Sequence, residues 1–197
     1  MSDFRMYVIR HGQTDYNRDG RLQGARDIPL NATGRAQAAG LGKALAALPG
    51  FDPDAYDWVA SPLVRARETM ELVRSNAGLD PHAYRTDPLL IEVSFGDWEG
   101  YTLEEVEAGV PGSIARREAA KWNFLPPGET GESYEMMAQR VDAFLAKLDR
   151  PTVCVAHGGI IRALFNRVGG VAGDVAALLD VPQDRILRVE GNSVDWV

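Results

Sequence analysis

The sequence predicts an α/β fold, a three-layer α/β/α sandwich on a mostly parallel sheet with one antiparallel edge, and three observations carry that expectation. Short apolar, β-branched runs at residues 6–9, 57–60 and 152–156 alternate with longer stretches of helical periodicity, the pattern of strands joined by crossover helices. The first and last of these runs stop on related signatures, Arg10-His11-Gly12 and His157-Gly158-Gly159. Two of the three histidines are thereby delivered to the carboxyl edge of one sheet, where open α/β folds hold their ligands. Residues 185–190 and 193–197 about Gly191-Asn192 read as a hairpin, which supplies the antiparallel edge.

In chain order, residues 13–31 are polar and rich in Asp, Asn, Arg and Gly, so they form no core element and cross the top of the sheet as a loop bordering the site. Thr33 is a cap candidate for a helix with Ala38, Leu41, Leu45 and Leu48 on one face, ended by Pro49-Gly50. Ser61-Pro62 opens the next helix after the strand at 57–60. Its apolar stripe is Leu63, Ala66, Met70, Val73 and Ala77, and Arg65 lies off that stripe in the first turn, free to point at the sheet edge of His11. Residues 83–86 and 89–91 read as further strand pieces, the second ending on Glu92. The turn-rich segment 95–100 suggests a lid or platform, 103–108 and 114–121 short charged helices, and 122–131 a break. Ser133 caps a helix with Met137, Val141, Phe144, Leu145 and Leu148 on its core face, and Pro151 resets the chain for the strand before His157.

At 197 residues the chain fits one domain, 1–197. A net charge of -7 argues against nucleic-acid or anionic-membrane partners, so an anionic ligand must be held locally. The single cysteine, Cys154, reads as a buried strand residue and excludes a disulfide framework or a thiolate zinc site. The absence of a signal-peptide pattern and of any membrane-length apolar stretch sets a cytoplasmic expectation. His82, in Asp80-Pro81-His82, reads as a solvated loop residue.

If the sheet reading holds, Arg10, His11, Arg65, Glu92 and His157 converge from distant parts of the chain. Guanidinium forks and imidazoles together suit a phosphoryl dianion. A carboxylate would oppose simple anion binding, so Glu92 points to acid or base work. No P-loop run is present, Gly40-Leu41-Gly42 lacks a dinucleotide fingerprint, and Cys154 and Ser133 lack the surroundings of cysteine or serine nucleophiles. Two histidines and a carboxylate could hold zinc, but the adjacent arginines place fixed positive charge where a dication would sit, so no metal and no cofactor are expected.

These residues resemble the motifs of the histidine phosphatase superfamily, the phosphoglycerate mutase-like family. The matches are Arg10-His11-Gly12-Gln13-Thr14 with Asn17; Leu22-Gln23-Gly24 with Pro29-Leu30 and Gly34; Ser61-Pro62-Leu63-Val64-Arg65-Ala66 with Thr69; Leu90-Ile91-Glu92 with Gly96, Trp98, Glu99 and Gly100; Gly131-Glu132-Ser133; and Val155-Ala156-His157-Gly158-Gly159 with Arg162. The resemblance implies a metal-independent phosphatase of a small phosphomonoester. In it His11 becomes phosphohistidine, Arg10, Arg65 and His157 form the phosphate pocket, and Glu92 is the proton donor. Asn17, Gln23, Gly24 and Gly158 are then substrate contacts, Asp97 and Glu99 are local rivals of Glu92, and Trp98, Trp122 and Phe124 line the leaving-group pocket. A neutral His11 would be fixed in one tautomer by a carbonyl near Gly12, His157 would favour its cationic form by facing the charge of the phosphate, and Phe95 and Trp98 would surround Glu92. The rival readings are a phosphoglycerate mutase, whose family members carry a longer insertion before the second histidine, and a non-catalytic phosphate or phosphoprotein-binding module.

Overall fold

The protein is described by a computed structural model over residues 5–197. Its strands are β1 (Arg5–Arg10), β2 (Asp57–Ala60), β3 (Arg85–Thr86), β4 (Thr152–Ala156), β5 (Ile186–Glu190) and β6 (Ser193–Trp196). They form one sheet in the order β3-β2-β4-β1-β5-β6. The β1–β4, β4–β2 and β2–β3 pairs are parallel, and β5 runs antiparallel to both β1 and β6. The expected mostly parallel sheet with an antiparallel edge is therefore what the chain forms.

Alternation along the strands builds the three layers, because successive side chains leave opposite faces of a pleated sheet. Tyr7, Ile9, Trp58, Ala60, Val153 and Val155 face α2 (Ala32–Ala46) and α3 (Val64–Asn76). Met6, Val8, Val59, Cys154 and Ala156 face α6 (Tyr134–Leu145) and α7 (Gly158–Arg167). Cys154 is buried, and burial pushes its thiol pKa up, which keeps it an inert core group.

Four local expectations are corrected. Asn31, not Thr33, caps α2 by accepting the Gly34 N–H at 2.9 Å, which puts Thr33 inside the first turn. The helix after Ser61-Pro62 starts only at Val64, following Leu63. Residues 13–31 contain α1 (Asp15–Arg18), a single polar turn closed by a Thr14/Asn17 capping box. Residues 89–91 are not a strand: Pro88 cannot donate to a ladder and Asp87 caps a 3₁₀ turn over Pro88–Leu90, leaving β3 at two residues. The short helices α4 (Leu103–Gly109), α5 (Ser113–Ala119) and α8 (Gly173–Ala176) complete the set.

Where β1 ends, the backbone of Gly12 lies against the first turn of α2. A Cβ on Gly34 would stand 2.1 Å from the Gln13 carbonyl oxygen, and one on Gly12 would stand 2.3 Å from that of Gly34. Gly34→Ala is therefore expected to destabilise the protein by ~1–3 kcal/mol through overpacking against backbone. Urea unfolding of the variant checks this, and wild-type stability would contradict it.

Candidate active site

Parallel pairing places the two histidines side by side. Arg10 is in register with Ala156, and His11 extends the ladder by donating its N–H to the Ala156 carbonyl at 2.9 Å. Ser61, just past β2, does the same toward Val155 at 2.9 Å. The His11 and His157 rings consequently lie 5.1 Å apart, and His157 Nε2 meets Ser61 Oγ at 2.7 Å. At this sheet edge His11 is itself buried, only 2% exposed.

His11 Nδ1 lies 2.8 Å from the Gly12 carbonyl oxygen. A carbonyl only accepts, so Nδ1 carries the proton, and in the neutral ring Nε2 keeps its lone pair. Burial, followed by the fields of Arg65 and Arg10, holds the His11 pKa well below 6.5 and keeps the ring neutral at pH 7. Its backbone is tied as well: Gly12 N–H donates to Thr69 Oγ1 at 3.0 Å, and Gln183 Nε2 donates to the His11 carbonyl at 3.0 Å.

Arg65 is fully buried, with Nη1 donating to the Arg26 carbonyl at 2.6 Å and Nη2 to the Gly24 carbonyl at 2.8 Å. Burial lowers its pKa to about 10 even though Glu92, Asp27 and Glu99 oppose the shift, so it stays cationic. Arg10 donates Nη1 to the Val181 carbonyl. Three buried polar atoms of this cluster, Arg10 Nε, Arg65 Nε and His157 Nδ1, have no partner among the described residues. Unpaired buried donors are costly, and the chemistry of this set fits an anion of several oxygens. The cationic form expected of His157 depends on the charge of the phosphate it would face. Burial first, and then Arg65, His11 and Arg10, hold its pKa well below 6.5 and favour the neutral ring.

The site opens into a polar cavity of about 140 Å³, lined by Arg10, His11, Asn17, Gln23, Gly24, Arg65, Glu92 and Gly158, with Arg21, Leu22, Phe95, Tyr134 and Arg162 completing the wall. Of the residues assigned from the sequence to catalysis or to phosphoryl contacts, all line it except His157, which is fully buried beside His11, whereas Trp98, Trp122 and Phe124, expected on the leaving-group side, do not. Thr14 organises the first loop, its Oγ1 donating to Gln23 Oε1 at 2.9 Å while its N–H donates to Asn17 Oδ1 at 3.1 Å. Gly24 adopts φ of +53°, and a Cβ there would meet the Glu99 carboxylate at 1.9 Å. Glu99 Oε1 accepts from the Ala25 and Phe95 N–H groups and from Ser94 Oγ, which removes it as a rival of Glu92 and makes it the tie between two loops.

Glu92 sits at the N-terminus of α7. Its Oε1 accepts from the Val93 and Gly159 N–H groups, both at 3.0 Å. A Cβ on Gly159 would stand 2.3 Å from that oxygen, so the glycine makes room for the carboxylate. The aromatic surroundings expected for Glu92 are only partly there. Phe95 shares its cavity, but Trp98 stacks on Phe124 at 5.2 Å and faces a neighbouring surface pocket with Tyr101 and Val106. Trp122 is in the core, stacked on Tyr134 at 5.7 Å with Nε1 donating to Glu135, so it does not line the leaving-group side.

Arg162, Tyr134, Arg21 and Gln183 were not assigned to the site from sequence. Arg162 had a readable signal, standing one helical turn after Gly158 on the same face. Its Nη1 lies 3.4 Å from Tyr134 Oη. Gln183 enters from the segment before β5, with no local signal at all. Among the described residues no group of three His, Cys, Asp or Glu is placed to hold a metal ion. No helix among them is long and apolar enough to cross a membrane.

Comparison with known proteins agrees with this geometry. Residues 6–196 match the family model of the histidine phosphatase superfamily, branch 1. The chain is 36% identical over 208 residues to a glucosyl-3-phosphoglycerate phosphatase of Mycolicibacterium vanbaalenii, covering 98% of this chain and 82% of the relative. A solved structure of a mycobacterial glucosyl-3-phosphoglycerate phosphatase superposes with a TM-score of 0.77 at 31% identity, covering 100% of this chain and 97% of that one. A phosphoglycerate mutase structure from Thermus thermophilus gives a TM-score of 0.70 at 34% identity, covering 94% and 92%. With strand ends, cavity and family model in agreement over nearly its whole length, the chain belongs to the histidine phosphatase superfamily.

Proposed function

We propose that this phosphatase works as one domain, without a metal, hydrolysing a small phosphomonoester through a phosphohistidine formed on His11. The observation that carries the reading is the His11 Nδ1 hydrogen bond to the Gly12 carbonyl, which leaves a neutral Nε2 lone pair beside the buried Arg65 and the half-buried Arg10. Nε2 attacks phosphorus while the ester oxygen leaves and takes a proton from Glu92. Water then attacks the phosphohistidine and gives a proton to Glu92, which returns phosphate and free His11. Arg10 and Arg65 carry the charge of the equatorial oxygens through both steps. Neutral His157 supplies a hydrogen bond through Nδ1 or, once a dianion offsets the arginine field, a third cation. Asn17, Gln23, Gly24 and Gly158 contact the phosphoryl group or the leaving group from the cavity wall.

The fixed charge of the two arginines does the work a divalent cation would otherwise do. The small polar cavity suits a phosphoryl head group, and glucosyl-3-phosphoglycerate, named in the mycobacterial relatives, is the first substrate to test. A cytoplasmic setting belongs to the same proposal. The mutase resemblance supplies the competing outcome, return of the phosphoryl group to a bound acid instead of to water.

Rapid quenching with labelled substrate should trap acid-labile phosphate on His11, and His11→Ala should lower turnover by ~10³-fold or more while the fold persists. Saturating chelator should leave the rate unchanged. Label that passes to an added phosphoglycerate faster than to water would establish the mutase instead.

The two depressed histidines also set a pH dependence of stability. Each binds a proton more weakly folded than unfolded, so their contribution is fully present above about pH 6.5 and is lost as pH falls below it. Between about pH 6.5 and 5, wild type should lose stability more steeply than His157→Gln, by up to about 1.4 kcal/mol per pH unit. Parallel urea-unfolding curves for the two proteins across that range would contradict the assignment.

A further inference from the structure

The segment that carries Glu92 has no ladder to hold it. The carbonyls of Leu89 and Ile91 accept no backbone N–H among the described residues, and both are taken by one side chain of α6. Arg140 donates Nη1 to Leu89 at 2.7 Å and Nη2 to Ile91 at 3.1 Å, immediately before Glu92. The guanidinium is itself held by Glu132, Nε to Oε1 at 2.7 Å and Nη2 to Oε2 at 2.8 Å. Glu132 also donates its own N–H to the Ser94 carbonyl at 3.0 Å, on the other side of Glu92. The two side chains are 26% and 15% exposed, and neither lines the cavity.

We propose that Arg140, locked by Glu132, is a positioning residue: it fixes the backbone immediately before Glu92, while the Glu132 N–H holds the Ser94 side, so that the carboxyl group reaches the departing ester oxygen. The role rests on Glu92 being the proton donor. The planar fork matters more than the charge, since four hydrogen bonds leave one guanidinium toward three residues and a lysine ammonium cannot reproduce them. Displacing a catalytic group by about 1 Å is enough to lower a rate by ~10²-fold. Gly159 holds the carboxylate from the α7 side, so Arg140 controls the remaining freedom of the segment.

The test uses the leaving group, because a fold defect slows every substrate alike and a misplaced proton donor does not. Phosphorylation of His11 is followed by rapid quenching with an alkyl phosphate and with an aryl phosphate of a good leaving group, in wild type, Arg140→Lys, Glu132→Gln and Glu92→Gln. Arg140→Lys keeps the positive charge that acts on His157 and loses the fork. It should slow the alkyl ester by ~10–100-fold and the aryl ester by less than ~3-fold, with Glu132→Gln showing the same selectivity at smaller size. Should Arg140→Lys fail to fold, the selectivity of Glu132→Gln decides. Equal slowing of both esters, or no slowing, in the clamp variants while Glu92→Gln remains selective would overturn the positioning role alone. Loss of selectivity in Glu92→Gln itself would overturn the reading of Glu92, and the positioning role with it.

Discussion

The parallel pairing of β1 with β4 is the constraint on which the site depends. With Arg10 opposite Ala156, the next residue of each strand is a histidine, and both rings leave the sheet at one edge. A one-residue slip would turn one of them to the opposite face, since side chains alternate along a strand. The register is secured by the two cores, which bury Tyr7 and Ile9 with Val153 and Val155 on one face and Met6 and Val8 with Cys154 and Ala156 on the other. Packing and chemistry are thus one specification, and the carbonyl that orients His11 belongs to the residue beside it.

The electrostatics follow from burial. Arg65 has no exposed surface, and its contacts to the Arg26 and Gly24 carbonyls stabilise the cation without neutralising it. Glu92 offsets part of the arginine field, and that field in turn favours neutral imidazoles at His11 and His157. A protein that gathers cations around a small cavity gives up folding stability unless an anion arrives, and the same strain makes a developing phosphoryl charge welcome. The glycines of this region serve the same end. Gly159 admits the Glu92 carboxylate to the start of α7, and Gly24 lets the first loop lie against Glu99.

Much of this was legible in the residues. The strand-His-Gly repeat placed His11 and His157, and the first turn after β2 placed Arg65. Glu92 was assigned to the right edge for an incorrect reason, since a strand was expected where Asp87 and Pro88 make a 3₁₀ turn. The aromatic residues were harder to read. Trp98 and Trp122 are interchangeable as apolar side chains in sequence, and only tertiary packing sends one to a neighbouring pocket and the other to the core against Tyr134. Gln183 and the Arg140–Glu132 clamp were illegible because they act on backbone carbonyls, which have no signature in a sequence.

The proposed chemistry turns on the protonation state of one ring. Long-range proton–nitrogen correlation NMR on uniformly ¹⁵N-labelled protein at about pH 7, with His11 assigned by its loss in His11→Ala, reads that state directly. A protonated, pyrrole-type Nδ1 with a bare, pyridine-type Nε2 is the predicted result. A proton on Nε2, or an imidazolium with both nitrogens protonated, would leave His11 without a lone pair facing the cavity and would rule it out as the nucleophile.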